Sequence, residues 1–318
     1  MEPTKRGISM QRRAFIKFAS TGSAALAGTG LAWTGAAQQA NLREPRPGKT
    51  GPYVTSEDGT RLFVHDWGAG RPILFLSAWT LQSNVWGSHI ATLIDRGFRC
   101  VALDRRGHGR SEAPSYGYDL NTLADDVAAV IEQKNLKDVT LVAHSMGSAE
   151  AVRYCARHGM DRVTRLMLAA PVTPSPMQGP DNPDGVPIEA IQAQRDAVTA
   201  SFPAWISENE APFFTPETDS ETRRWIKNMM LSVSVPVAVA CSKTMVTSDT
   251  RGDLGKITKP TLIVHGDKDA SAPLSLTGAR AARLIPNCKL IVYQGAPHAL
   301  ILTHKERFIA DLLAFAQG

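Results

Sequence analysis

The stretch "VTLVAHSMGSAEAV", Val139 to Val152, decides how the chain is read. It opens as a continuous apolar run of strand length and closes with helical spacing, so a buried strand turns sharply into a helix. A single serine, Ser145, sits at the corner between His144 and Met146. The residues two before and two after it are Ala143 and Gly147, a G-x-S-x-G corner with alanine in its first position. A hydroxyl is a weak nucleophile at neutral pH and needs a base beside it. A strand-to-helix turn lifts that hydroxyl above the strand end and aims the first N–H groups of the helix at whatever it attacks. Both flanking positions must be small, because helix and strand approach closely there. Ala143 adds one methyl and narrows the space without closing it.

Outward from this corner the alternation repeats. "YVTSEDGTRLFVHDWG" holds an Asp-Gly turn between two strand-like runs, which predicts a hairpin at one edge. "PILFLS", "RCVALD", "VTRLMLAAP", "PTLIVHGD" and "CKLIVYQG" are short apolar runs of the buried-strand kind. Helical spacing lies between and after them, in "SNVWGSHIATLIDRG", "DLNTLADDVAAVIEQKN", "LSLTGARAARLIP" and "HKERFIADLLAFAQ". Asn121 is the expected cap of the second of these. The pattern predicts an α/β fold, a mostly parallel sheet with helices on both faces, built from residues 53–171 and 260–318. Residues 172–259 break the rhythm, Pro-rich first and helical afterwards. They are expected to form a helical cap over the strand ends, where ligands bind in such sheets.

The serine needs an acid after a later strand and a histidine after the last one. "TLIVHGDKDASAP" supplies Asp267 and Asp269, and "LIVYQGAPHAL" supplies His298. Asp269 lies further past the strand end and is the expected partner of His298. Asp267 is expected to order the turn. The order Ser, Asp, His is that of the α/β-hydrolase arrangement.

The chain from about Tyr53 resembles the cofactor-free haloperoxidase and esterase branch of the α/β-hydrolases. The resemblance rests on "ALDRRGHGRS", "YDLNTLADDVAAVIE", "VTLVAHSMGS", "VRYCARHG", "TLIVHGDKD", "CKLIVYQGAPHAL" and "THKERFIADLLAF". It implies an α/β-hydrolase fold, a Ser145, Asp269 and His298 triad, and backbone N–H groups of Trp79 and Met146 as oxyanion donors. No metal, haem, flavin or other cofactor is implied. Relatives in this branch carry His-Gly-Trp-Pro where this chain has Ser77-Ala78-Trp79-Thr80. Ala78 strains the loop if its position needs a positive φ angle. Loss of one oxyanion donor costs about 3–4 kcal/mol, a hundred-fold or more in rate. The proline is associated with peracid formation, so Thr80 argues against a good peroxide-using enzyme.

The chain has 318 residues and a net charge of +5. Residues 1–37 carry Lys5, Arg6, Arg12, Arg13 and Lys17 against the one acid Glu2, so four of those five net charges lie there. The remainder is nearly neutral, which removes most of the case for a nucleic-acid partner. A charged start, a weakly apolar run and small residues before Gln38 follow secretory logic. Arg12-Arg13 followed by Phe15-Ile16-Lys17 resembles a twin-arginine export signal. That implies a bacterial protein exported already folded by the twin-arginine machinery, with cleavage after Ala37 and a periplasmic or secreted destination. Residues 38–52 read as a linker, and no later segment is expected to span a membrane. Cys100, Cys155, Cys241 and Cys288 match no zinc spacing and read as buried free thiols.

Other residues have plainer expected roles. Arg106 and His108 are expected to shape a turn, and His144 and His265 to pack. Trp225, Met229 and Met230 either pack or line an acyl pocket. Three functions follow: hydrolysis of a small carboxylic ester or lactone through an acyl-enzyme on Ser145, perhydrolysis with hydrogen peroxide in place of water, or ligand binding on a disabled hydrolase scaffold.

Overall fold

The computed structural model describes residues 51–318. The expected export segment 1–37 and residues 38–50 of the linker lie outside them. Eight strands form one sheet: β1 (Tyr53–Thr55), β2 (Arg61–Gly68), β3 (Arg71–Leu76), β4 (Phe98–Leu103), β5 (Val139–His144), β6 (Val163–Ala169), β7 (Thr261–Gly266) and β8 (Cys288–Tyr293). Their order is β1-β2-β4-β3-β5-β6-β7-β8. β2 runs antiparallel to both β1 and β4, and the pairs from β4 to β8 are parallel. The Asp58-Gly59 turn closes the edge hairpin as expected, with Gly59 at a φ of 87°.

Period-two alternation sends each strand's apolar residues to two faces. Ile73 and Phe75 of β3 pack on one side with Trp86, with Ile90 and Leu93 of α1 (Gly87–Ile94), and with Phe308 and Leu312 of the closing helix. Leu74 and Leu76 pack on the other side with α2 (Leu120–Gln133) and α3 (Met146–His158). The expected cap of α2 is corrected. Asp119 accepts the N–H groups of Asn121 and Thr122, while the Asn121 side chain accepts from Arg153. A carboxylate is the better acceptor for orphan N–H groups at a helix start.

Between β6 and β7 lie α4 (Ile188–Ala200), α5 (Phe202–Asn209), α6 (Ser220–Leu231), α7 (Val235–Thr247) and α8 (Arg251–Leu254). Side chains from α4 to α7 share one cavity wall with Ser145 and His298, which lie beyond the strand ends. Leu254 of α8 and the following Ile257 instead join the core cluster that includes α3. The end of the 172–259 interval therefore packs as core. After β7 come α9 (Gly278–Leu284), and after β8 α10 (Leu300–Thr303) and α11 (Lys305–Gln317).

Burial pushes the thiols of Cys100, Cys155 and Cys241 up to about 12, which disfavours the thiolate form at neutral pH. Cys288 is only partly buried. Arg106, expected to shape the turn after its strand, ties the edge hairpin to α2. Its guanidinium is fully buried and donates twice to Asp126 of α2, at 2.6 and 2.7 Å, and once to Asp58 at 2.7 Å. Removing one member of a buried pair leaves the other charge without a partner, at about 3–5 kcal/mol. Arg106→Met should lower unfolding free energy in urea by that amount, and adding Asp126→Asn should recover part of it.

Candidate active site

The corner after β5 is sharp because Ser145 adopts φ 53° and ψ −119°. That backbone is costly for a residue with a Cβ, about 1–3 kcal/mol, and three local features hold it. Ser145 N–H donates to the Ala169 carbonyl at 3.0 Å, and Ser148 N–H donates to the Ser145 carbonyl at 2.9 Å. Gly147 lets α3 press on β3: a Cβ there would lie 2.9 Å from both the Cβ and the carbonyl oxygen of Leu76. Ala143 is fully buried and is accommodated within β5.

The structure brings Ser145, His298 and Asp269 into one hydrogen-bonded chain. Nδ1–H of His298 donates to Asp269 Oδ2 at 2.7 Å. Its Nε2 is then the free base, 2.8 Å from Ser145 Oγ. Asp269 Oδ1 accepts the N–H groups of Ser271 and Ala272 at 2.9 and 2.7 Å. Burial would raise the Asp269 pKa, but the His298 charge and hydrogen bonds from His265, His298 and Ala272 outweigh it. They hold this carboxyl well below the usual carboxylate range. Asp267 stands apart and accepts the N–H of Gly295 at 2.6 Å, which ties the loops after β7 and β8 together.

Two histidines expected only to pack touch this chain. Nε2 of His265 lies 2.8 Å from the Ala272 carbonyl and 3.1 Å from Asp269 Oδ2. A carbonyl can only accept, so the proton is on Nε2 and supports the carboxylate. Nε2 of His144 donates to the backbone carbonyl of His298 at 3.0 Å. Burial, with the nearby His298, pushes His144 down to about 3, so it stays neutral. The sequence placed both histidines beside the motifs without saying what they would touch.

The loop after β3 forms the facing wall. Leu81 N–H donates to the Ala78 carbonyl at 3.1 Å and closes a turn. The left-handed residue of that turn is Thr80, at φ 61°, and not Ala78. The condition under which Ala78 would strain the loop is therefore not met. Among the described residues, no protein group accepts from the backbone N–H of Trp79 or of Met146. Trp79 itself is anchored from above. Its indole N–H donates to the Ala238 carbonyl of α7 at 2.9 Å, and its ring meets Trp205 of α5 edge-on.

A cavity of about 460 Å³ opens over Ser145 and His298. Its walls are mainly apolar and include Val172, Ile191, Trp205, Phe213, Met230 and Leu276. This suits a small to medium ligand. The three cap residues left open in the sequence divide. Met230 lines the cavity, Met229 is buried and its sulfur accepts from Gln82 N–H at 3.5 Å, and Trp225 is exposed. Among the described residues no group of His, Cys, Asp and Glu is arranged to hold a metal ion.

The family model for the alpha/beta hydrolase fold matches residues 71–305, and the chain belongs to that family. It is 38% identical over 271 residues to a non-heme chloroperoxidase from Kitasatospora aureofaciens, covering 83% of this chain and 98% of that one. It is 34% identical to a bifunctional esterase/perhydrolase from Acinetobacter calcoaceticus, covering 84% of this chain and 99% of that one. Among solved structures it is similar to an esterase from Exiguobacterium antarcticum. That comparison has a TM-score of 0.82 and 30% identity, and covers 85% of this chain and all of that one.

His108, beside the loop, gives a pH prediction. Burial, with the neighbouring Arg105 charge, pushes it down to about 3. Its folded value lies below the unfolded value near 6.5, so the unfolded chain takes up the proton first. Its contribution to stability is complete above about pH 6.5 and is lost as pH falls toward 3. The drop in urea midpoint between pH 7 and pH 5 should therefore be smaller in His108→Asn than in the wild type.

Proposed function

We propose that the protein is a serine hydrolase that cleaves a carboxylic ester or a lactone through an acyl-enzyme on Ser145. The observation that carries this reading is the unbroken chain from Asp269 through His298 to Ser145 at the base of an apolar cavity. Ser145 Oγ attacks the substrate carbonyl carbon while His298 Nε2 takes its proton. Asp269 keeps the other proton on Nδ1 and stabilises the imidazolium that forms. The negative oxygen of the tetrahedral intermediate is held by the N–H groups of Trp79 and Met146. His298 returns its proton to the departing alkoxide, leaving the acyl group on Ser145. Water, activated by His298, then releases the acid. The apolar walls favour small to medium acyl groups. The esterase relatives support the reading, and so does the size of the cavity.

A second reading is favoured by the haloperoxidase names of several relatives. Hydrogen peroxide in place of water would release a peracid from the same acyl-enzyme. The peracid would oxidise halide to hypohalous acid and return the carboxylic acid. Thr80 weighs against it, because proline fixes φ near −65° and the loop here turns at φ 61°. The loop of this chain is therefore not the one a proline at that position would form.

Hydrolysis of short-chain nitrophenyl esters should disappear in Ser145→Ala and fall about 10⁴-fold in Asp269→Asn. Turnover that survives Ser145→Ala would sink the serine mechanism. Binding of ligands without any turnover would favour the binding-protein alternative. Halide oxidation with peroxide and a short-chain acid should run more slowly than ester hydrolysis; the reverse order would favour the perhydrolase.

The reading of residues 1–37 as a twin-arginine export signal rests on Arg12-Arg13 and the charge pattern. In a bacterial host the wild type should reach the periplasm, and the Arg12→Lys, Arg13→Lys double variant should stay in the cytoplasm. Equal distribution of the two would remove the assignment.

A further inference from the structure

We propose that the buried ion pair of Arg105 and Glu150 is a positioning device that sets the direction of one oxyanion donor and ties it to the helix carrying the other. The inference rests on the serine-hydrolase reading above and names what orients its oxyanion hole.

Arg105 follows β4, and Glu150 lies one turn after Met146 on α3. Their side chains are 4% and 2% exposed, and Nε of Arg105 donates to Glu150 Oε1. The rest of the guanidinium points at the loop after β3. Nη2–H donates to the Ser77 carbonyl at 2.6 Å, and Nη1–H reaches the Ala78 carbonyl at 3.3 Å. Nη1 also lies 3.5 Å from Nε2 of His108, a neutral ring that adds no competing charge.

Peptide planarity turns these contacts into an orientation. The Ala78 carbonyl and the Trp79 N–H belong to one planar trans unit and point in opposite directions. Drawing the carbonyl toward Arg105 directs the Trp79 N–H away from it. Trp79 and Ser145 both line the cavity. The Leu81 N–H supports the same carbonyl from within the turn. A second tether starts at Ser77, whose hydroxyl accepts from the indole N–H of Trp86 at 3.1 Å. The arginine supplies from outside the loop a restraint that keeps this peptide plane in place. Because Glu150 sits on α3, the same cation fixes the distance between the loop donor and the Met146 N–H.

A merely structural ion pair would behave differently. Replacing both members of a buried pair by apolar residues often leaves stability unchanged or higher. Lysine in place of arginine keeps the charge beside Glu150, but its single ammonium cannot reproduce the planar fork that spans a carboxylate and two carbonyls.

The test uses the full-length protein and compares the wild type with Arg105→Lys and with the Arg105→Met, Glu150→Leu double variant. Nitrophenyl ester kinetics and the affinity of a trifluoromethyl ketone, which forms a tetrahedral adduct with serine, are the readouts, with urea unfolding as control. The proposal expects kcat to fall about 10–100-fold in both variants, below the full loss of one donor. KM should stay within about twofold, and ketone affinity should fall by a similar factor as kcat. The double variant should do this at near wild-type stability. Unchanged kcat and ketone affinity in Arg105→Lys would overturn the proposal, as would equal losses in KM and kcat. Absence of Ser145-dependent turnover in the wild type itself would instead remove the serine-hydrolase reading, and the positioning role with it.

Discussion

The left-handed backbone of Ser145, at φ 53°, is the constraint on which the site depends. A relaxed residue there would let the chain run from β5 into α3 at a shallower angle. The hydroxyl would then no longer stand above the strand end. The strain is offset by sheet and helix hydrogen bonds on either side of the corner and by the close approach of Gly147 to Leu76. That approach requires the loop after β3 to lie directly beside α3. The Ser145 hydroxyl and the two N–H groups beside it are thus products of one packing decision, with small residues at positions 143 and 147.

The acid side of the site follows from the sheet. β7 and β8 are neighbours and parallel, so the loops leaving their ends meet. Asp267 joins those loops through the N–H of Gly295 and leaves Asp269 to face His298. Asp269 is buried and carries hydrogen bonds on both oxygens, which keeps it charged where desolvation alone would protonate it. The helices α4 to α7 then close the apolar side. They reach the chemistry through Trp79, whose indole is held by α7 and packed on α5.

Much of this was legible in the sequence, and the reasons differ from residue to residue. Ser145, Asp269 and His298 could be singled out because each follows a short, mostly apolar strand-like run, Ser145 at once and the other two after a short loop, and their order along the chain is informative. Thr80 as the left-handed residue was not legible: neither alanine nor threonine advertises a positive φ, and the turn is set by a carbonyl held from elsewhere. The partnership of Arg105 with Glu150 joins residues 45 apart through burial that periodicity does not encode. Asp119 and Asn121 are both good capping types, and only the backbone shows which one lies outside the helix. Met229 and Met230 illustrate the limit for the cap. Helical spacing identifies an apolar face, but not whether that face meets packed core or open cavity.

The central claim is that Ser145 is the covalent centre of this protein. It is tested most directly by treating the wild type with a fluorophosphonate, measuring the intact mass and mapping the labelled peptide. The account predicts one phosphonyl group per chain, on the peptide that contains Ser145, with ester hydrolysis lost in proportion to labelling. Hydrolysis that persists in protein fully labelled at Ser145, or a stoichiometric label on another residue, would contradict it.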